Sequence, residues 1–211
     1  MDIYRDPMLN VQETAAYLNM PTSTLAGWKQ NALVHSVRPT KRTWPTLPFV
    51  AVVEAYVLRE LRQAGFSQRQ ISEAAAGIRQ EFGDEYGLAR PGIGHDEGVE
   101  IFIAVGGELY RAKDRQQAIR ATVNGFRECI QWSGEDPQRL RLAQFGNVYL
   151  DPRFGWGQPT VGPTHAPLGA IAGLWYAGES LEDIADDYDM APSEIDTLMR
   201  SWGRTNDRLA A

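Results

Sequence analysis

Apolar positions along this chain fall mostly at helical spacing and alternate only in short stretches. Val11, Ala15 and Leu18 recur at intervals of four and three, which predicts a short helix with one inner face. Asn10 stands where a cap belongs, and Glu13, three residues on, can reach back to complete a capping box. Pro21 suits the first turn of a second helix running to about Gln30, with Leu25 and Trp28 turned inward. Val50, Val53, Val57 and Leu61 form a third stripe, ended by Ala64-Gly65. Ser67 and Gln70 then cap a fourth, which carries Ile71, Ala75, Ile78 and Phe82.

The middle of the chain reads differently. Gly83 through Gly98 is rich in glycine and charge and is the best linker candidate. Val99-Glu100-Ile101-Phe102-Ile103-Ala104-Val105 alternates and is β-branched, which predicts a strand; Gly106-Gly107 would turn it back into Glu108–Arg111. A helix is expected from Asp114 to Cys129, with Ala118, Ile119, Val123 and Phe126 inward. Two short strands follow, Asn147–Leu150 and Gln158–Val161, around Phe154-Gly155-Trp156-Gly157, and Pro159 marks the second as an edge. Pro167 starts a helix bearing Leu168, Ile171, Leu174 and Trp175. Ser180 and Asp183 cap another, with Leu181, Ile184 and Ala185 inward, and Pro192 opens the last, with Ile195, Leu198, Met199 and Trp202. Residues beyond Gly203 read as a loose tail. The expected fold is mainly α with short β-hairpins, divided at 1–82, 83–146 and 147–211.

Two helices joined by the short turn at Asn19-Met20 are what a helix-turn-helix requires. The second helix would offer Thr22, Ser23, Thr24 and Lys29 to DNA, with Ala26 and Gly27 on the same exposed side. The loop Arg38-Pro39-Thr40-Lys41-Arg42 stands where a wing would touch phosphates. Thr14-Ala15-Ala16-Tyr17-Leu18, Pro21, Thr24-Leu25 and Trp28, continued by Leu61-Arg62-Gln63-Ala64-Gly65-Phe66-Ser67, resemble the MerR-type winged helix-turn-helix. That resemblance implies DNA binding through Thr22, Ser23, Thr24, Lys29, Arg38, Lys41 and Arg42.

Asp151-Pro152-Arg153-Phe154-Gly155-Trp156-Gly157, then Ala177-Gly178-Glu179-Ser180-Leu181, resemble a small bacterial domain of unknown function that also occurs in one group of VapB-type antitoxins. The likeness runs from Val148 to about Gly203 and implies a β-hairpin followed by a three-helix, helix-turn-helix-like module. VapB-type antitoxins engage a PIN-domain ribonuclease toxin with a C-terminal segment, often presenting an arginine, and here Arg204 and Arg208 are the residues that could serve. Arg153 reads more simply as a salt-bridge partner of Asp151.

Charge narrows these readings. The chain of 211 residues carries a net −6. Residues 1–62 hold a net +2 and the remainder a net −8, so a nucleic-acid surface belongs near the N-terminus. From Glu179 to Asp196 there are eight acidic residues and no lysine or arginine; Glu182, Asp186 and Asp187 would repel phosphate and favour a protein partner. A solvated acidic face over a hydrophobic core is an equally plain reading of the same residues.

Composition fits a soluble globular protein, with 43% apolar and 23% charged residues and no run near the ~20 apolar residues of a membrane span. One cysteine, Cys129, suits a reducing cytoplasm and a core position. His35, His95 and His165 lie in unrelated segments, and His95-Asp96-Glu97 reads as solvated rather than metal-binding. No nucleophile elbow, zinc-protease signature or P-loop occurs, so no enzyme activity, metal or cofactor is expected. These readings together describe a cytoplasmic, homodimeric antitoxin that binds a PIN-domain ribonuclease and promoter DNA. A stand-alone MerR-type regulator, with a large apolar ligand pocket lined by the middle segment, is one alternative. The other is an interaction module without nucleic acid, favoured if Lys29, Lys41 and Arg42 are buried or paired.

Overall fold

The structure, a computed structural model, describes residues 2–39, 41, 44–106, 113–162 and 164–210; of 106, 113–115 and 210 it describes the backbone alone. The chain begins with β1 (Pro7–Leu9), α1 (Val11–Tyr17) and α2 (Thr22–Gln30). A loop then leads to β2 (Leu47–Pro48), which pairs antiparallel with β1. The loop contains no strand among its described residues. Asn10 accepts the Glu13 amide while the Glu13 carboxylate accepts the Asn10 amide, so the reciprocal cap read in the sequence starts α1.

The third helix, α3 (Phe49–Gln63), runs through the core. Every residue from Phe49 to Leu58 is buried, so the stripe expected at Val50, Val53, Val57 and Leu61 is one face of a helix wrapped on all sides. The fourth, α4 (Gln68–Phe82), begins at the Ser67–Gln70 capping box and stops at Gly83 in the left-handed region. The glycine-rich segment that follows is packed, with two 3-10 turns burying Leu88, Ala89 and Ile93.

Residues 99–105 are not a strand. They belong to α5 (Asp96–Gly106), because tertiary packing outweighs β-propensity here. Phe102 packs edge-on against Phe66 and Phe126, and Asp96 and Glu97 lie in the first turn, where the helix dipole favours acids. Gly98 allows the approach, since a Cβ there would stand 2.4 Å from the Ile93 carbonyl oxygen. Of the expected hairpin return, residues 107–111 lie outside the described residues.

Then comes α6 (Lys113–Cys129). Ile119, Val123, Phe126 and Cys129 face the core, whereas Ala118 lies on the exposed side, contrary to its expected inward position. A five-stranded antiparallel meander follows: β3 (Ile130–Ser133), β4 (Asp136–Arg141), β5 (Val148–Leu150), β6 (Thr160–Val161) and β7 (Ala166–Pro167). The β3–β4 hairpin turns at Gly134, which has positive φ. Pro159 does not mark an edge: β6 lies between β5 and β7, and Pro159 stands just before the strand, its carbonyl accepting the Leu168 amide.

The chain closes with α7 (Leu168–Ala177), α8 (Leu181–Tyr188) and α9 (Pro192–Ala210). The last helix continues well past Gly203, so residues 204–210 are not a tail; Ser201 and Thr205 are buried with Trp202 along its inner face. Buried side chains from Leu9 to Trp202 make one continuous cluster, and the fold is mainly helical with two small antiparallel sheets.

Candidate functional site

The α1–α2 turn is tight because Asn19 takes φ 50° and the Met20 amide donates to the Ala15 carbonyl. Leu25 and Trp28 are buried, and the Trp28 indole donates to Gln68 Oε1 on α4 at 3.2 Å. This fixes the orientation of α2, leaving Thr22 and Ser23 exposed and Thr24 half-buried at its first turn. Pro21 supplies no capping side chain, so that end of the helix keeps free amides. Lys29 is half-buried and its Nζ donates to Thr46 Oγ1 at 3.1 Å. Arg38 and Lys41 are exposed on the loop, with Lys41 set over the Trp44 ring; Arg42 lies outside the described residues.

A buried cluster holds the start of that loop. Glu54 on α3 is fully buried and accepts from the His35 amide at 2.9 Å, from His35 Nδ1 at 2.8 Å and from Arg79 Nη2 at 3.1 Å. Arg79 also donates to the carbonyls of Ala32 and Leu33, and the His35 ring packs against Tyr86. Glu54 was not singled out by pattern reading, although a single acid inside the run Phe49–Leu58 is itself a signal that a charged partner must meet it.

The C-terminal residues divide between two places. Glu182, Asp186 and Asp187 are exposed on α8, which Ser180 caps by accepting the Asp183 amide. Arg204 and Arg208 lie elsewhere, along α9, where Arg204 donates to Ser201 Oγ and Arg208 donates to Asn19 Oδ1 at 2.6 Å. Gln12 of α1 in turn donates to the carbonyl of Leu209 at 3.0 Å. Arg208 therefore shares a 610 Å³ cavity with Gln12, Ala16, Asn19, Met20 and Thr22. The structure brings one residue expected at a toxin surface beside one expected at a DNA surface, while the acidic set lines neither that cavity nor the smaller one between Arg204 and Arg208.

The hairpin turn completes the picture. Asp151 is fully buried and accepts from the Arg153 amide at 3.0 Å, Nε at 2.9 Å and Nη2 at 2.5 Å, as the salt-bridge reading expected. The bond to Asp151 holds the Arg153 guanidinium pKa above its ordinary value, with burial opposing it. Tyr17 on α1 donates to Gln158 Oε1 at 3.0 Å, and burial first, then the Glu13 charge, push its phenol well above the usual range. His95 and Asp96 line a small charged cleft with Arg120 and Arg127, and among the described residues no group of three or more His, Cys, Asp or Glu is placed to hold a metal ion.

No family model matches the chain. A protein of Mycobacterium tuberculosis (strain ATCC 25618 / H37Rv), named "Putative antitoxin VapB45", is 29% identical over 219 residues, covering 90% of this chain and 91% of that protein. The chain is similar to a protein named as a VapB antitoxin. The fold also matches the crystal structure of Rv2018 from Mycobacterium tuberculosis, with a TM-score of 0.79 and 24% identity over 93% of this chain and 98% of that one. The likeness to VapB45 covers nine-tenths of the chain and so is not confined to the C-terminal module. Among the described residues, no helix is long and apolar enough to cross a membrane.

Proposed function

We propose that the chain is the antitoxin of a type II toxin–antitoxin pair in the cytoplasm. It neutralises a PIN-domain ribonuclease and, as a homodimer, represses its own operon through a winged helix-turn-helix built on α1 and α2. The observation that carries this reading is the similarity to a protein named as a VapB antitoxin along nine-tenths of the chain, not only over the C-terminal module. Support for the DNA part comes from α2, where Thr22, Ser23 and Thr24 stand at the positive end of the helix dipole and the amides of Thr22 and Ser23 have no partner among the described residues. Arg38 and Lys41 add exposed charge on the adjoining loop. For the toxin, Arg204 and Arg208 are offered on one helix and the carboxylates of Glu182, Asp186 and Asp187 on another.

Co-expression with the product of the adjacent gene, followed by a tagged pull-down and a growth-rescue assay, tests the reading. Co-purification with rescue supports it; neither would overturn it. One observation favours a second reading, an interaction module without nucleic acid: Lys29 is half-buried and bonded to Thr46. A promoter titration across salt separates the two, because binding through phosphates weakens steeply as salt rises. A ligand-sensing regulator is not favoured by the cleft that His95, Asp96, Arg120 and Arg127 line among the described residues of the middle segment, which is 150 Å³ and charged, against roughly 300–1,000 Å³ for apolar ligand pockets.

A further inference from the structure

The least expected side chain on the surface is Trp156, which is 94% exposed. Its backbone lies in the left-handed region at φ 51° and ψ 39°, a conformation that a bulky residue adopts only when its surroundings impose it. Those surroundings are rigid. Asp151 holds Arg153 by three bonds and its carbonyl accepts the Phe154 amide, the Phe154 ring stacks on His165 at 3.8 Å, and the Gln158 amide closes on the Gly155 carbonyl. Gly157 lets the turn press onto β1, where a Cβ would meet the Met8 carbonyl oxygen at 3.1 Å. The fold thus fixes a turn whose apex holds an indole out in water.

Beside the indole is a hollow of 550 Å³, walled by Ile3, Pro7, Met8, Pro45 and Pro152 and bordered by Trp156 itself. Its walls are apolar, with two charges. Arg153 is already paired with Asp151 through Nε and Nη2, whereas the Asp6 carboxylate makes no hydrogen bond or ion pair among the described residues. A flat apolar group carrying one hydrogen-bond donor would satisfy this hollow, and an indole is such a group, because a buried Trp N–H needs an acceptor. Knob and socket lie in the same patch, which is the condition for an isologous, two-fold interface in which each copy supplies both.

We infer that this patch is the interface of a homodimer, in which Trp156 of each copy enters the Ile3–Met8–Pro152 socket of the other and its indole N–H donates to Asp6. The inference rests on the homodimer of the proposed function but not on its toxin or its DNA. A rigid aromatic anchor loses little conformational entropy on docking and suits the centre of such an interface.

Light scattering coupled to size exclusion, on the full chain over a dilution series, tests it. The wild-type protein is expected to be a dimer, and Trp156→Ala to raise the dimer dissociation constant by about thirtyfold or more. Asp6→Ala, which removes the acceptor, is expected to raise it by about fivefold. Tyr176→Ala, which removes another exposed ring, on α7, should leave it unchanged. A dimer that Trp156→Ala leaves intact overturns the interface while sparing the homodimer; a wild-type monomer overturns both. Circular dichroism checks the fold of each variant. Should Trp156→Ala unfold, Ile3→Glu, which places a charge in the socket wall, is read in its place with the same two outcomes. Growth rescue reports on the antitoxin reading separately, so its loss does not count against this interface.

Discussion

The α1–α2 and α8–α9 pairs solve one backbone problem in the same way. Asn10 and Ser180 cap their first helices through the amide three residues on. Asn19 and Asp189 take φ 50° and 52° in the turns, the amides of Met20 and Met190 reach back to the carbonyls of Ala15 and Ala185, and Pro21 and Pro192 precede or open the second helices. Their surfaces then part company, since one turn leads into hydroxyls at a helix start while the other is flanked by carboxylates. Local geometry is therefore no guide to the partner. Charge decides it, because the acidic pair placed against phosphate would be repelled, whatever its shape.

The two pairs also differ in how they are anchored, and that difference can be broken most severely at Glu54. The loop after α2 is tied to the core by a buried carboxylate shared between His35 and Arg79, whereas the α8–α9 turn has no buried ion pair among the described residues. Glu54→Ala leaves Arg79 without its counter-charge and is expected to cost about 3–5 kcal/mol in urea unfolding. A loss under 1 kcal/mol would show that the cluster is incidental.

Neutralising each surface in turn sharpens the contrast in charge. If the proposed function holds, Lys29→Ala with Lys41→Ala should reduce the salt slope of promoter binding by about two while leaving toxin binding intact. Glu182→Gln with Asp186→Asn and Asp187→Asn should do the converse, weakening the toxin complex with the DNA slope unchanged; loss of both activities in either variant would merge the two surfaces. Smaller effects come from the caps. Asn10→Ala and Ser180→Ala are each expected to cost about 1 kcal/mol, because each leaves the amide three residues on without its side-chain acceptor. An unchanged unfolding midpoint in either variant would mean that the cap adds nothing there.

The smallest effect is that of pH. Burial opposes ionisation of Asp84, but the Tyr86 amide and the Arg90 guanidinium outweigh it and lower its pKa from 3.8. A lowered folded pKa means that this contribution is present above the unfolded value and fades as pH falls through the folded one. Asp84→Asn should flatten the acid limb of stability below about pH 4 by a small margin, and unchanged acid midpoints would contradict that assignment.

Much of the helical fold was legible because its signals are local. The caps at Asn10, Ser67 and Ser180 and the prolines at 21, 167 and 192 each act within a few residues, and they fall where the structure starts its helices. Failures came where a distant partner decides. Val99–Val105 alternates like a strand, but Phe66 and Phe126 hold Phe102 on a helix. Pro159 resembles an edge signal, yet stands one residue outside its strand and leaves β7 free to pair. The β3–β4 hairpin was missed although Gly134 marks its turn, because α6 runs into β3 without a break. The site was legible residue by residue but not in its arrangement: nothing local to Arg208 says that Asn19 will meet it, and nothing around Trp156 says that the chain's first residues will form a socket beside it.

The clasp between Gln12 and the end of α9 has a consequence for the order in which the molecule is made. Its two partners are 197 residues apart in the chain. Synthesis proceeds at about 5–20 residues per second, so α1 leaves the ribosome roughly 10–40 s before the segment that will cover its flank. During that interval the α1–α2 turn is open on the side that Arg208 later closes. Until that segment emerges, the flank of α1 that it covers in the folded protein has no partner from α9.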